Sequence, residues 1–316
     1  MTIDAESLFD ENRNCWRRSR ARRFGWLVDG EAYFAALREA FGRAEREILI
    51  VGWDIDSRTQ LIRDPDHPDY PSPLAATLET LVRDKPQLRV HVLSWDFSVI
   101  YALERELLPA RSFGWQESER LHFELDGKHP VGASHHQKIA VIDGTVAFSG
   151  GIDLTKARWD TRSHAADDPR REDPDGNTYR PFHDVQAIVS GPAAAALRDL
   201  VNERWLNATG EPLPDLDAGN DDAWPDTVSA HAEDADIAIA RTWIQPDRGR
   251  DIHEVRQLYL DTIEAARSYI YIENQYFTSP EITAALEQRL RDETPPEIVI
   301  VMPGETSGWL EQATMD

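Results

Sequence analysis

The sequence predicts an α/β fold with a largely parallel sheet. Three observations carry that expectation. Amphipathic helical periods alternate with short apolar strands. The same helix–strand order recurs near the C-terminal end. No apolar run approaches the roughly 20 residues that would replace this reading with a membrane span.

The elements follow in order. Residues 29–45, DGEAYFAALREAFGRAE, place Phe34, Leu37 and Phe41 at helical spacing, with Asp29 as a cap. REILIVGWD then reads as a buried strand closed by the turn glycine Gly52. PLAATLETLVRD is a second helix and LRVHVLSWD a second strand. A later strand, VQAIVSG, leads into an Ala-rich helix ending near Trp205. Residues 155–182 form a long polar stretch, and a loop of that length inside a compact domain usually carries function or is disordered.

The recurrence divides the chain. AEREILIVGWD from Ala44 and ARSYIYIENQY from Ala266 both follow a helix and both place isoleucines at the same two positions, Ile48 and Ile50 against Ile270 and Ile272. The expected organisation is a first lobe over 1–205, an acidic Pro- and Gly-rich linker over 206–240, and an incomplete second lobe over 241–316.

Charge and composition narrow the function. The 316 residues carry 34 Lys and Arg against 57 Asp and Glu, a net charge of -23. That field opposes broad binding to a phosphate backbone, so no nucleic-acid partner is expected. One basic stretch, RNCWRRSRARR, stands apart. It reads as a charged face pairing with the acidic remainder, or as a contact for anionic headgroups. The single cysteine, Cys15, suits a reducing cytoplasm, and the N-terminus lacks a basic-then-apolar leader pattern.

The chemistry concentrates in SHHQKIAVIDGTVAFSGGIDL, residues 134–154. Alternation along a strand puts His136 and Lys138 on one face. Asp143-Gly144 is a two-residue hairpin signal, so TVAFSGG should return antiparallel and bring Ser149, Gly150, Gly151 and Asp153 to the same open end. Glycines there would let backbone N–H groups approach a ligand. An imidazole beside an ammonium suits attack on phosphorus, with Asp143 fixing a tautomer. A hydrophobic hairpin with a polar mouth has the same pattern. A zinc set of His135, His136 and Asp143 is disfavoured, because adjacent strand residues face opposite ways.

HQKIAVID resembles the HxKxxxxD signature of the phospholipase D superfamily. GGIDLTKARWD resembles the GGxDLxxxRWD stretch of the eukaryotic-type enzymes, PFHDVQAIVSGP their PWxDVxxxxxGP with Phe182 in place of Trp, and IYIENQYF their IYIENQFF. SWDFSVIYALERE looks like a bacterial version of the same enzymes. The resemblance implies α/β/α lobes with a mixed sheet, each lobe giving one HxK motif to a shared site. It implies His136 as one of two active-site histidines, Lys138 as a phosphate ligand, Asp143 as support, and Trp53 and Asn274 among the substrate-binding residues. The expected activity is phosphodiester hydrolysis or headgroup exchange on glycerophospholipids through a phosphohistidine, with no cofactor and no metal. Membrane phospholipid is the expected partner, and the inner membrane surface or the cytoplasm the expected location. A cardiolipin-synthase-like transferase, a nuclease or an inactive phosphate-binding fragment are the alternatives. These residues hold a single HxKxxxxD. The chain is therefore expected to be part of a two-motif enzyme, completed by a second HxK lobe or by self-association.

Overall fold

The computed structural model describes residues 8–96, 118–130, 133–216, 222–244 and 251–304. Most of the stretch SWDFSVIYALERE lies outside them. The chain divides into two compact units.

The larger unit spans 19–237 and 244–250. Its sheet takes strands β1 (Arg17–Val28), β2 (Glu47–Gly52), β3 (Arg89–Trp95), β4 (Leu121–Asp126), β5 (Ile139–Ile142), β6 (Val146–Gly150), β7 (Val185–Ser190) and β8 (Ala232–Ile239). Their order is β4-β3-β2-β5-β6-β7-β1-β8. β2, β3 and β4 run parallel, whereas β5, β6, β7 and β1 pair antiparallel. The sheet is therefore mixed rather than largely parallel. Between the parallel strands β2 and β3 the chain crosses over through a helix (Leu74–Asp84), whereas the antiparallel pair β5–β6 is joined by a short turn.

Helices α1 (Asp29–Arg43) and α2 (Leu74–Asp84) cover one face. Phe34, Leu37 and Phe41 of α1 and Leu74, Leu78 and Val82 of α2 join Ile48, Ile50, Val90, Val92, Ala140, Ile142 and Phe148 in one apolar cluster. The helical spacing of the first set and the alternation of the second are what the sequence pattern predicts. Helix α3 (Pro192–Thr209) packs on β4 to β7. The intervening strand residues Leu49, Val51, Val141 and Ala147 are buried as well. The result is an α/β/α arrangement.

Two expectations change. Asp29 does not cap α1: Val28 holds the cap position, without a side-chain bond. The described residues of 206–240 are not a free linker. Leu213, Ala223 and Trp224 are buried, Trp224 donates its indole N–H to Val228 O at 2.8 Å, and β8 edges the main sheet. Aspartate and proline density misled here because the few apolar residues between them do the packing.

The smaller unit gathers residues up to 18 with 238–243 and 251–316. Arg13 and Asn14 both donate to Asp261, and Trp16 N donates to Ile239 O, so the N-terminal segment belongs here rather than to the first lobe. Strands β9 (Thr242–Trp243) and β10 (Ile252–His253) pair antiparallel. After them come α4 (Glu254–Ala265), β11 (Tyr269–Glu273), α5 (Pro280–Leu290) and β12 (Glu297–Val301). β11 and β12 are parallel, with Ile270 opposite Ile298, as Ile48 lies opposite Val90 in β2 and β3. Helix, strand, helix and parallel strand thus occur twice, matching the internal similarity. Among the described residues no helix is long and apolar enough to cross a membrane.

Candidate active site

β5 and β6 form the expected hairpin, with Ile142 opposite Val146 and Ile139 opposite Ser149. Its loop has three residues rather than two. Asp143 and Gly144 both take positive φ, 50° and 65°, which suits Gly and is tolerated by Asp. His136 and Lys138 immediately precede β5 rather than lying inside it.

The two side chains nevertheless converge. The Trp53 ring lies 5.8 Å from the exposed His136 ring, edge to face, and 5.9 Å from Lys138 Nζ. Trp53 in turn stacks on Trp95 at 5.7 Å. Lys138 is 5% exposed; its Nζ donates to Asp153 Oδ2 at 2.9 Å and to His136 O at 3.1 Å. Burial pushes the Lys138 ammonium below its usual range, and the Asp153 charge opposes that. Asp153 is fixed from the other side by the backbone N–H of Trp53 at 2.9 Å. A small cavity beside this pair is lined by Tyr33, Ile50, Gly52, Ile55, Lys138 and Asp153. An ammonium has three donors, so one remains beyond Asp153 and the His136 carbonyl.

Asp143 is elsewhere. Its Oδ1 accepts from Arg46 N at 2.9 Å and Glu47 N at 2.8 Å, and its Oδ2 accepts from Glu45 N at 2.8 Å. It ties the α1–β2 connection to the far end of the β5–β6 hairpin. Four residues of strand separate it from Lys138, so it does not orient His136. The disfavoured zinc set of His135, His136 and Asp143 is indeed kept apart: His135 is buried with Nε2 3.3 Å from Asp126 Oδ2, while His136 is exposed.

The glycines serve the sheet. A Cβ on Gly150 would lie 2.4 Å from Val185 O, and one on Gly151 would lie 2.2 Å from either Asp184 carboxylate oxygen. Gly151 N–H donates to Val185 O at 3.1 Å, so it is already spent. Their lack of a side chain makes room for β7 and for Asp184. Ser149 sits half-buried in β6, opposite Ile139 and Ala187. Asn274 belongs to the smaller unit, where it follows β11 and its Oδ1 accepts from Tyr276 N at 3.1 Å.

Two groups were missed. Asp184 adjoins Gly151 and contributes to the field at Lys138; burial raises its own carboxyl. Its signal was the HDV following the long polar loop. Behind the motif, Asp126 holds His135 and accepts from Arg204 at 2.7 Å, and Arg204 also donates to Gln137 Oε1. Burial pushes the Asp126 carboxyl up, but the His135 and Arg204 contacts outweigh it and bring it down to about 2. No local spacing links 126, 135 and 204, so only the fold reveals this brace.

The Phospholipase D family matches residues 118–299, more than half of the sequence. The chain belongs to the phospholipase D family. It is 26% identical to phospholipase D A of Dictyostelium discoideum, covering 90% of this chain and 25% of that protein. It is 26% identical to bovine phospholipase D2 (Bos taurus), covering 80% and 33%. The chain thus spans about a quarter to a third of the length of these relatives. Among solved structures, a phosphatidylserine synthase from Haemophilus influenzae superposes with a TM-score of 0.50 at 10% identity, over 90% of this chain and 63% of that one. That likeness concerns the fold alone.

Proposed function

We propose that the chain provides one half of a phospholipase D-type phosphodiesterase site, acting on glycerophospholipids by hydrolysis or headgroup exchange. The observation that supports this is the convergence of the exposed His136 imidazole and the buried Lys138 ammonium on Trp53, in a chain of the phospholipase D family. Lys138 stays charged through Asp153 and turns its remaining donor to a phosphoryl oxygen. Its bond to the His136 carbonyl holds the backbone that carries the imidazole.

The chemistry needs two such groups. One imidazole nitrogen forms a bond to phosphorus as the phosphorus–oxygen bond to the leaving alcohol breaks. A second histidine gives that alcohol its proton, then takes one from the incoming water or acceptor alcohol. A nitrogen engaged with phosphorus cannot protonate the opposite side. His136 fills one of these roles, and a second HxK fills the other. The net charge of -23 supports a lipid rather than a nucleic acid as substrate.

The test is incubation of phosphatidylcholine vesicles with ethanol and this chain, with phosphatidylethanol measured by mass spectrometry. General acid catalysis is worth about a hundred- to ten-thousand-fold, so the single-motif chain should form product slowly. That product should disappear with His136→Ala. Fast turnover by a monomer, or product that survives His136→Ala, would contradict the reading.

A further inference from the structure

His136 lies on a segment with no regular structure of its own. Residues 133–138 form neither helix nor strand, and β5 begins only at Ile139. The His136 ring is itself exposed. Irregular surface backbone is ordinarily the mobile part of a fold. A group that attacks phosphorus has to be held to within about 0.5 Å. Something other than a strand ladder must therefore fix it.

The residues on either side of His136 are both held by one buried ion pair. Arg204 of α3 and Asp126 at the end of β4 are 1% and 0% exposed. Arg204 Nη2 and Nε donate to Asp126 Oδ2 at 2.7 and 3.2 Å. Arg204 Nη1 donates to Gln137 Oε1. A guanidinium only donates, so the carbonyl end of the Gln137 amide is the end that faces it. On the other side, His135 Nε2 lies 3.3 Å from Asp126 Oδ2 and 3.3 Å from Lys128 O. Both of these oxygens are acceptors, so Nε2 carries the hydrogen and the tautomer of His135 is set. Asp126 Oδ1 accepts from Lys128 N at 3.0 Å. Burial pushes the Arg204 guanidinium down, and the Asp126 carboxylate opposes that. Such a pair adds little to stability, because removing two ions from water offsets their attraction, and an apolar pair of the same volume does as well. An apolar pair would offer nothing for positions 135 and 137 to bond.

We infer that Asp126 and Arg204 are positioning residues for His136: they clamp His135 and Gln137 and so fix the backbone between them. This rests on the phosphodiesterase reading above and assigns that site its support. Lys138 adds a third hold, since its Nζ donates to His136 O at 3.1 Å. Neither Asp126 nor Arg204 touches the phosphate. Releasing the clamp leaves Lys138 on Asp153 and lets the imidazole wander, and a misplacement of about 1 Å can cost a hundredfold in rate.

The test compares the wild type with Gln137→Leu, Gln137→Glu and the double variant Asp126→Leu/Arg204→Met. Gln137→Leu keeps the size and removes the acceptor. Gln137→Glu keeps an acceptor for Arg204 and serves as the rescue. Each protein carries isotope-labelled histidine, and the His136 Cε1–H signal is identified by its loss in His136→Ala. The expected result is one sharp His136 signal in the wild type and in Gln137→Glu, and a broadened or split one in Gln137→Leu and in the double variant. Phosphatidylethanol formation from phosphatidylcholine vesicles and ethanol should follow the same order. In Gln137→Leu kcat should fall by about tenfold or more, with KM changed by less than about twofold. Circular dichroism confirms folding, and Gln137→Leu decides alone if the double variant is unfolded. A His136 signal and a kcat that stay as in the wild type in folded Gln137→Leu would overturn the inference. So would failure of Gln137→Glu to restore them. A wild type that makes no His136-dependent product would sink the phosphodiesterase reading, while the His136 signal still decides whether the clamp holds the ring.

Discussion

Asp143 and Asp153 are both carboxylates near the motif, and their surroundings give them different work. Asp143 accepts three backbone N–H groups and stitches the α1–β2 connection to the hairpin. Asp143→Ala should lower stability by about 2–3 kcal/mol, since charged acceptors of this kind are worth roughly that much and the Arg46 and Glu47 donors are left part-buried. Phosphate affinity of the folded protein should stay unchanged. Urea melts and phosphate titrations of the variant check both parts. Asp153 instead neutralises a buried ammonium. Asp153→Asn should cost about 3–5 kcal/mol, because it strands Lys138 without its counter-charge. Lys138→Met/Asp153→Asn should cost less than the sum of its two single changes, which a double-mutant cycle measures. Equal, additive losses would show that the pair does not interact. The motif spacing made His136 and Lys138 readable. It could not separate the roles of Asp143 and Asp153, because positive φ at the hairpin turns one away while residues 151–153 fold the other back.

At the scale of elements, strands whose two faces differ little were the hardest to foresee. α1, α2, β2 and β3 follow directly from apolar spacing. β1 does not, because its arginines look like a charged arm. In the structure these arginines pair with acids: Arg23 with Asp222, and Arg20 with Asp236 at 3.5 Å. β4, with buried Leu121 and Asp126 at its ends, was not anticipated for the same reason. β3 also holds a titration that should be measurable. Burial lowers the His91 pKa from 6.5 to about 3, helped by the nearby charges of His122, Arg89 and Arg198. The folded state keeps this ring neutral while the unfolded chain protonates it near 6.5. The unfolded state therefore binds the extra proton between those values, and stability falls as pH drops through that window. The loss approaches about 1.4 kcal/mol for each pH unit below the unfolded value. Asp126, with its carboxyl at about 2, adds a further loss only below about pH 4. Urea midpoints between pH 7 and pH 5 should fall in the wild type and fall much less in His91→Gln. An unchanged slope in that variant would place the proton uptake elsewhere.

For the whole molecule, the internal similarity showed the repeated helix–strand order, yet the limits of the units were not readable. The N-terminal segment joins the smaller unit through single polar contacts to Asp261, and β8 is drawn into the main sheet from a stretch that composition marks as a linker. Contacts made across two hundred residues leave no local trace. The acidic surface bears on function at this scale, since anionic phosphate must be captured against a net charge of -23. Under the proposed function, capture would depend on a local cation, and Lys138 beside His136 is the group assigned to it. Calorimetric titration of the chelator-treated protein with inorganic phosphate at pH 7 tests this most directly. Binding should be detectable in the wild type, at least tenfold weaker in Lys138→Met and in His136→Ala, and unchanged in Asp143→Ala. Phosphate binding that is indifferent to Lys138 and His136 would contradict the assignment of this half-site.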